Sequence, residues 1–289
     1  MNRKQITVIV AVLAISGYLY SLPVKGLIKP KGANAAAGHV SAPRTVNHVT
    51  VDAVSTPAKT AIGAALAARI NDLEEQLKKA SGEAEKLSLE KQLAKQWDDD
   101  NQPAPSAFYY QEVARKEPTF VNWMDAGNHF NDAYKTTQDT AVQPAFVENA
   151  IKAFENATKL KPEDVNAEAG LGVAYANQAS LGIMDAEGGP PKGIRILLDV
   201  VQKDPKNYQA NLNLGMLAMK SGQFDKAVAR FKTVIAQKAE VEPYFYLAES
   251  YKQLGMKKEA IAAYTKCKEM IPDPVIGQKI DQYIKELKN

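Results

Sequence analysis

The sequence predicts an all-α protein whose main part is a helical solenoid, in which pairs of helices stack one after another. Residues 211–238 and 244–271 superimpose at an offset of 33 residues, and positions from Gly193 to Pro205 recur 34 residues later. Small and aromatic residues return in the same register in each copy. Self-similarity at this period predicts helical units that bury their apolar faces against their neighbours, an architecture suited to binding rather than catalysis.

Each residue type in the repeated pattern has a structural reason. A small residue at a helix crossing lets the neighbouring helix approach, and an aromatic residue on the following helix fills the space between adjacent pairs. A glycine between the two helices supplies the turn. We therefore assign these positions no direct role in function. The matched positions are Leu214, Gly215, Gly222, Ala227, Phe231 and Val234 in one copy and Leu247, Ala248, Gly255, Ala260, Tyr264 and Cys267 in the next.

This pattern resembles the tetratricopeptide repeat, a helix pair with a period of about 34 residues. The resemblance rests on the order small, aromatic, small along the second helix and on the proline, here Pro272, that follows it. It implies a non-enzymatic array that binds protein segments. We expect the array over residues 106–272, as a half repeat at 106–118 plus about four repeats. Residues 273–289 are expected to form a capping helix with a polar outer face.

Two repeats carry insertions, at residues 135–144 and 181–191. Both fall in the turn between the two helices of a pair, so they are expected on the same face of the array. Two interpretations follow. The loops form a shared binding rim, or they are tolerated loop growth, which costs little free energy and is the simpler interpretation.

The amino-terminal end predicts attachment to a membrane. Residues 6–22 carry no charge and reach about the minimum apolar length of a membrane span. The small-residue motifs that a signal peptidase would cut lie further on, at residues 33–38, so we expect residues 1–22 to remain as an anchor, with cleavage left open. Arg3 and Lys4 are balanced by three lysines beyond the span. We expect the short tail inside the cytoplasm and the bulk of the chain outside it.

Residues 23–60 lack a helical period and are rich in Ala, Gly, Pro, Thr and Val, which predicts a flexible linker. The net charge of +3 divides unevenly, because residues 1–22 contribute +2 and residues 23–61 contribute +4, which leaves −3 for residues 62–289. A mildly acidic body argues against a nucleic-acid partner. The lysines beside the span either touch anionic lipid headgroups or are solvated flanking charges.

Residues 61–97 predict an amphipathic or coiled-coil helix, followed by a hinge at 98–105. Apolar residues alternate at spacings of four and three, a seam about three heptads long. Two interpretations stay open: homo-oligomerisation through residues 62–97, or a single helix that folds back onto the repeats. The seam positions are Leu66, Ile70, Leu73, Leu77, Ala80, Ala84 and Leu87.

By the resemblance, the first helix of each repeat faces a concave groove. Most residues at the groove positions are apolar, which favours an amphipathic helix or an extended segment of a partner protein as the ligand. The lysine and asparagine clamp that some members of the family use for a peptide carboxylate is not matched at its lysine positions. The alternative is that the chain's own helix, 62–97 or 275–288, fills the groove. The groove candidates are Met124, Asn128, Ala169, Val173, Leu212, Met216, Met219 and Phe245.

The sequence offers little for catalysis. Asp125, His129 and Asp132 share a helical face at spacings of four and three that would permit metal contact, but a solvated polar face is the more ordinary interpretation. Cys267 is the single cysteine and stands where the repeat has a small buried residue, so we interpret it as core packing. No phosphate-binding glycine loop or nucleophile motif is present. We expect no enzymatic activity and no cofactor.

The function expected from the sequence is a membrane-anchored scaffold on the outer side of the bacterial cytoplasmic membrane that presents its repeats to an envelope protein. The order of a coiled coil before repeats is similar to that of the Tol-associated periplasmic proteins. Two alternatives stay open: a periplasmic assembly chaperone or adaptor for secreted clients, and a membrane adaptor of inverted topology that faces the cytoplasm.

Overall fold

The computed structural model describes residues 49–183 and 191–288 of the 289-residue chain. Its regular structure in these ranges is α-helical, which confirms the predicted all-α fold class. The helices are α1 (Val51–Ile62), α2 (Ala64–Lys79), α3 (Glu83–Asp99), α4 (Pro103–Lys116), α5 (Phe120–Thr136), α6 (Gln143–Leu160), α7 (Val165–Ser180), α8 (Lys192–Lys203), α9 (Tyr208–Lys220), α10 (Phe224–Ile235), α11 (Val241–Gln253), α12 (Lys257–Glu269) and α13 (Pro274–Lys288).

Ten of these helices form five successive pairs. The pairs are α3 with α4, α5 with α6, α7 with α8, α9 with α10, and α11 with α12, and the second helix of each pair packs against the first helix of the next. The first helices also touch in succession, α5 on α7, α7 on α9, and α9 on α11. This neighbour-to-neighbour packing is the array that the sequence predicts.

Glycines at the helix crossings admit the rings of the following helices. Phe154 of α6 is fully buried between Gly127 of α5 and Gly170 of α7, where an added Cβ would stand 2.8 Å and 2.3 Å from its ring. Gly215 meets Phe231 in the same way, at 2.7 Å. A side chain at these glycines would separate the helices, so the small residues set the spacing of the array.

The turns inside the pairs use glycine in the left-handed region. Gly222 and Gly255, predicted as turn residues, have φ values of +73° and +72°. Gly182 adopts the same conformation, with φ of +79°, after α7. Residues with a Cβ are strained there, so glycine has a backbone reason at each position.

The predicted flexible linker differs from the structure in its last part. Residues 51–60 belong to α1, which packs against α2 and α4 and buries Val54 and Ala58. Thr50 caps the helix by accepting a hydrogen bond from the backbone nitrogen of Ala53 at 3.4 Å. Pro57 and the β-branched residues lower the helix propensity of this segment, so the sequence does not predict the helix. Tertiary packing stabilises it. Residues 23–48 of the predicted linker lie outside the described residues.

The predicted single helix over residues 61–97 is two helices, α2 and α3, which separate at residues 80–82 and pack against each other. Ile70 of α2 is buried with Leu93 and Trp97 of α3 in a cluster that includes Tyr109 of α4. Ala84, a predicted seam position, is exposed. Of the two interpretations of this segment, the contacts favour folding back within the chain.

The predicted hinge at residues 98–105 is a tight turn, because α3 runs to Asp99 and α4 starts at Pro103. The hydroxyl of Ser106 donates a buried hydrogen bond of 2.9 Å to the carbonyl oxygen of Ala94. Residues 106–118 are therefore not an unpaired second helix. The partner helix is not recognisable from the repeat pattern because Ser106 stands where the later repeats have Ala227 and Ala260.

The predictions for the two ends of the chain compare differently with the structure. The predicted anchor, residues 1–22, lies outside the described residues, and no helix within 49–183 and 191–288 has the length and apolarity to span a bilayer. At the carboxy-terminal end, α13 packs on α12 and buries Ile280 and Leu287. Ile276, predicted on the same stripe, is 45% exposed. The apolar face of the capping helix is therefore shorter than its sequence suggests.

Candidate partner-binding groove

The first helices of the repeats curve around a common recess. Their successive contacts run from α5 through α7 and α9 to α11. Lys135 near the end of α5 forms an ion pair of 2.8 Å with Glu242 at the start of α11, although 107 positions separate the two residues. Because two further first helices lie between α5 and α11, this ion pair crosses a concave surface. We call this surface the inner groove.

The eight predicted groove residues divide into two groups. Ala169, Val173 and Leu212 are at most 8% exposed and pack inside the core clusters of α7, α9 and α11, so they offer little surface to a ligand. This corrects their assignment as contact residues, and the reason is close packing between adjacent first helices. Accessible surface remains on five residues, of which Asn128 is exposed and the others are half-buried: Met124, Met216, Met219 and Phe245.

Phe245 is covered in part by the capping helix. Its ring lies 6.2 Å from that of Tyr283 on α13 and 6.0 Å from that of Tyr264 on α12, in edge-to-face or tilted arrangements. Such aromatic pairs are favourable beyond the area that they bury. The carboxy-terminal helix therefore lies beside Phe245, and the alternative that it fills the groove stays a prediction. Helices α2 and α3 pack instead in the cluster at the amino-terminal end of the array.

Three tyrosines donate hydrogen bonds to glutamates near the carboxy-terminal end of the array. Burial raises the pKa of Tyr246 to about 12, and it also raises the pKa of the other two. The hydroxyls therefore stay protonated and act as donors to the carboxylates. The pairs are Tyr208 with Glu240, Tyr246 with Glu242, and Tyr264 with Glu249.

Asp125, His129 and Asp132 do not converge on one point. Nδ1 of His129 lies 2.7 Å from the backbone oxygen of Asp125, and Nε2 lies 3.0 Å from Oδ1 of Asp98. The imidazole also stacks on Tyr110, with 4.4 Å between ring centroids. Both ring nitrogens thus face acceptors of this chain. Over the described ranges, no group of three or more His, Cys, Asp or Glu side chains is placed to hold a metal ion.

Cys267 is fully buried in the carboxy-terminal core cluster, as predicted for a packing residue. Its thiol faces the carbonyl oxygen of Val241, at 3.7 Å. Burial raises the pKa of the thiol. A protonated, inaccessible thiol is a poor nucleophile, so this cysteine has the properties of core packing.

Residues 136–139 of the first insertion lie beside α1, whereas Lys135, the first residue of this insertion, forms the ion pair with Glu242. A cavity of about 730 Å³ is lined by residues 136–139 of the loop, by the turn at 101–103 and by α1, including Val54 and Pro57. Residues 184–190 of the second insertion lie outside the described residues, so a rim shared by both loops stays a prediction. The sequence offered no signal for this cavity, because α1 was predicted as part of a flexible linker.

The inner groove also contains residues that the sequence did not single out. Lys135 and Glu242 are ordinary charged positions of two amphipathic helices, and nothing in their spacing indicates that they meet. Tyr208 and Glu240 lie in different repeats and are equally inconspicuous. Contact between neighbouring first helices brings Tyr208 to Glu240, and the curvature of the array brings Lys135 to Glu242.

Comparison with known proteins bears on the repeats. Two family models of the tetratricopeptide repeat match this chain, one over residues 186–247 and the other over residues 241–274. No curated protein sequence matches the chain.

Two solved structures have a similar fold. A thermophilic tetratricopeptide-repeat protein from Thermus thermophilus has 18% sequence identity, with coverage of 70% of this chain and 98% of its own, and a TM-score of 0.53. A tetratricopeptide repeat protein from Parabacteroides merdae has 16% identity, with coverage of 77% and 82% and a TM-score of 0.50. At these identities the likeness concerns the fold alone.

Proposed function

We propose that the protein is a non-enzymatic scaffold that binds a segment of a partner protein in the inner groove, because family models of the tetratricopeptide repeat match residues 186–247 and 241–274. The observation that carries the proposal is the concave surface enclosed by α5, α7, α9 and α11. Among the residues predicted to line it, Asn128 is exposed, and Met216 and Met219 are half-buried. Flexible methionine side chains adapt to varied apolar surfaces, which suits the uptake of a peptide segment.

Cross-linking from defined positions tests the groove. A photoreactive phenylalanine analogue is introduced at Asn128 of α5 in the full chain expressed in its native cells. The matched control is Leu198 of α8, which is 40% exposed on a second helix. We expect adducts from position 128 and none from position 198. Equal yields from both positions would contradict the groove as the binding surface.

The pattern of adducts separates a scaffold from a chaperone. One discrete adduct of defined mass, identified by mass spectrometry, is expected for a scaffold with one partner. Many adducts of different mass, formed from position 128 alone, would support the alternative of an assembly chaperone for secreted clients, because such a protein binds broadly and weakly.

We further propose that residues 1–22 anchor the protein in the cytoplasmic membrane and that its repeats lie outside the cytoplasm. This proposal rests on the uncharged residues 6–22 and the short basic tail. Protease treatment of spheroplasts tests it. Digestion of the repeats in intact spheroplasts, with residues 1–30 retained in the membrane fraction, is the expected result. Protection until lysis would favour a cytoplasm-facing adaptor.

A further inference from the structure

The inner groove is acidic as well as partly apolar. Five carboxylates from α3, α5 and the start of α11 lie around the ion pair that crosses it, and we call this set the acidic face. Its members are Asp98, Asp125, Asp132, Glu240 and Glu242. Within the described residues, their only ion pairs with lysine or arginine are those of Glu242 with Lys135 and Glu240 with Lys238, and Nε2 of His129 lies 3.0 Å from Oδ1 of Asp98.

One face of α5 points toward α11. Met124, Asn128 and Asp132 follow one another at spacings of four, and Lys135 comes three residues later, so all four share one side of the helix. Lys135 reaches Glu242 from this side. This side of α5, from Met124 to Lys135, therefore faces the groove.

Asp132 and Asp125 are partly desolvated carboxylates of the acidic face. Asp132 is exposed to solvent, yet desolvation by the surrounding protein raises the pKa of its carboxyl group, with smaller opposing effects from His129 and Lys135. The same cause raises the pKa of Asp125. In the described part of the chain, neither carboxylate has a hydrogen-bond partner or an ion-pair partner of its own.

These charges determine which ligand the groove accepts. A nucleic acid or an acidic peptide would be repelled, whereas a cationic side chain would compensate carboxylates that the fold leaves without partners. The half-buried methionines add apolar surface beside the charges. The complementary ligand is a protein segment that combines apolar residues with lysine or arginine.

We propose, on the basis of the proposed function, that the acidic face selects a partner segment that is basic and partly apolar. One lysine or arginine of this segment replaces Lys135 at Glu242, and another lies over Asp125 and Asp132. Lys135 then occupies, in the free protein, the place of a partner cation. Lys135 and Glu242 remain about half and one third exposed as side chains, at 52% and 37%, so the exchange needs no opening of the core.

Selection from a random peptide library tests this directly. Phage that display random 12-residue peptides are selected on the full chain, immobilised through a carboxy-terminal tag, at low and at high salt. We expect enriched peptides with a net positive charge and leucine, methionine or aromatic residues, and a loss of enrichment at high salt because the attraction is screened.

A triple variant assigns the charge preference to the acidic face. Asp125→Asn, Asp132→Asn and Glu242→Gln together should weaken binding of an enriched basic peptide about tenfold, because each partly exposed ion pair changes affinity by a factor of roughly two to five. The matched control removes three exposed carboxylates on other helices and should leave binding unchanged. The control substitutions are Asp225→Asn, Glu259→Gln and Glu286→Gln.

A second variant works in the opposite direction and does not depend on the fold of the triple variant. Lys135→Gln removes the competing cation and should tighten binding of the same peptide about two- to fivefold. Weaker binding would overturn the proposed exchange.

The library results also separate this inference from the proposed function. Enrichment of neutral or acidic peptides that compete for the groove would overturn the charge preference and leave the scaffold function standing. A basic preference that persists in the triple variant would also overturn it. The absence of any enriched peptide would contradict both.

Discussion

Gly193 gives the sharpest test of how the array is held together. It lies at the start of α8, where an added Cβ would stand 2.3 Å from the backbone nitrogen of Ala176 and 2.5 Å from the carbonyl oxygen of Gly172, both on α7. Carbon atoms in contact normally stay about 3.5–4.0 Å from their neighbours. Substitution Gly193→Ala therefore produces an overlap of more than about 1 Å with the backbone of α7.

The size of the effect follows from what would have to move. A side chain in the way could rotate, but the obstacle here is the backbone of a packed helix, so α8 must shift away from α7. Overpacking of this kind costs about 1–3 kcal/mol, and we expect the upper part of that range. Gly277→Ala is the matched control, because its Cβ would lie 3.9 Å from Cε of Lys268 and alanine favours a helix by roughly 0.5–1 kcal/mol.

Urea denaturation of the full chain, followed by circular dichroism, measures both variants. With an m-value of about 3 kcal/mol/M, a loss of about 2–3 kcal/mol lowers the midpoint of Gly193→Ala by roughly 0.7–1 M. The midpoint of Gly277→Ala should stay the same or rise. Since repeats couple mainly to their neighbours, the m-value is recorded as well, because a lower value would indicate separate unfolding of the repeats around α8. A midpoint for Gly193→Ala equal to that of the wild type would refute the close crossing.

Three further predictions follow from burial and charge. Phe154→Ala should lower the free energy of unfolding by about 3–5 kcal/mol, because the ring is fully buried between two glycines. In the same urea titration, the control Val121→Ala should change the free energy of unfolding by less than about 0.5 kcal/mol, because that side chain is 61% exposed. Cys267 should react with a thiol reagent only in urea, and rapid reaction of the native protein would contradict its burial. Desolvation by the surrounding protein raises the pKa of the Asp132 carboxyl group in the folded state above its ordinary 3.8. The ionised carboxylate therefore opposes folding at neutral pH, and this free-energy cost is relieved as the pH falls through the folded-state pKa. Asp132→Asn should therefore unfold at a higher urea concentration than the wild type at pH 7, with the difference shrinking toward pH 4, while Asp225→Asn shows no such trend.

The repeated pattern made the array predictable, because its cause is local. Gly215 and Phe231 recur in register with Ala248 and Tyr264, and each pair of helices needs a small residue at the crossing and a large one beside it. The same logic made Gly222 and Gly255 recognisable as turn residues and Cys267 recognisable as core. Packing between sequence neighbours leaves a periodic signal.

The amino-terminal part was harder to predict, because its helices are stabilised by tertiary contacts. Helix α1 contains Pro57, and its buried apolar residues, Val54 and Ala58, are too few to produce a clear stripe. Ser106 stands where Ala227 and Ala260 stand in the later repeats, so the pair formed by α3 and α4 escaped the repeat pattern. A segment with weak helix propensity that is stabilised by tertiary packing gives little periodic signal in its sequence.

The candidate site was predicted only in outline. The sequence by itself predicted that first helices would line a groove with apolar residues, and Met216 and Met219 are half-buried on one of these helices. Tertiary structure alone decided that Ala169, Val173 and Leu212 are buried, and that Lys135 of α5 meets Glu242 of α11. The physical reason is that helical periodicity specifies which face of a helix turns inward, whereas the curvature that accumulates over four repeats decides which distant charges on those faces come into contact.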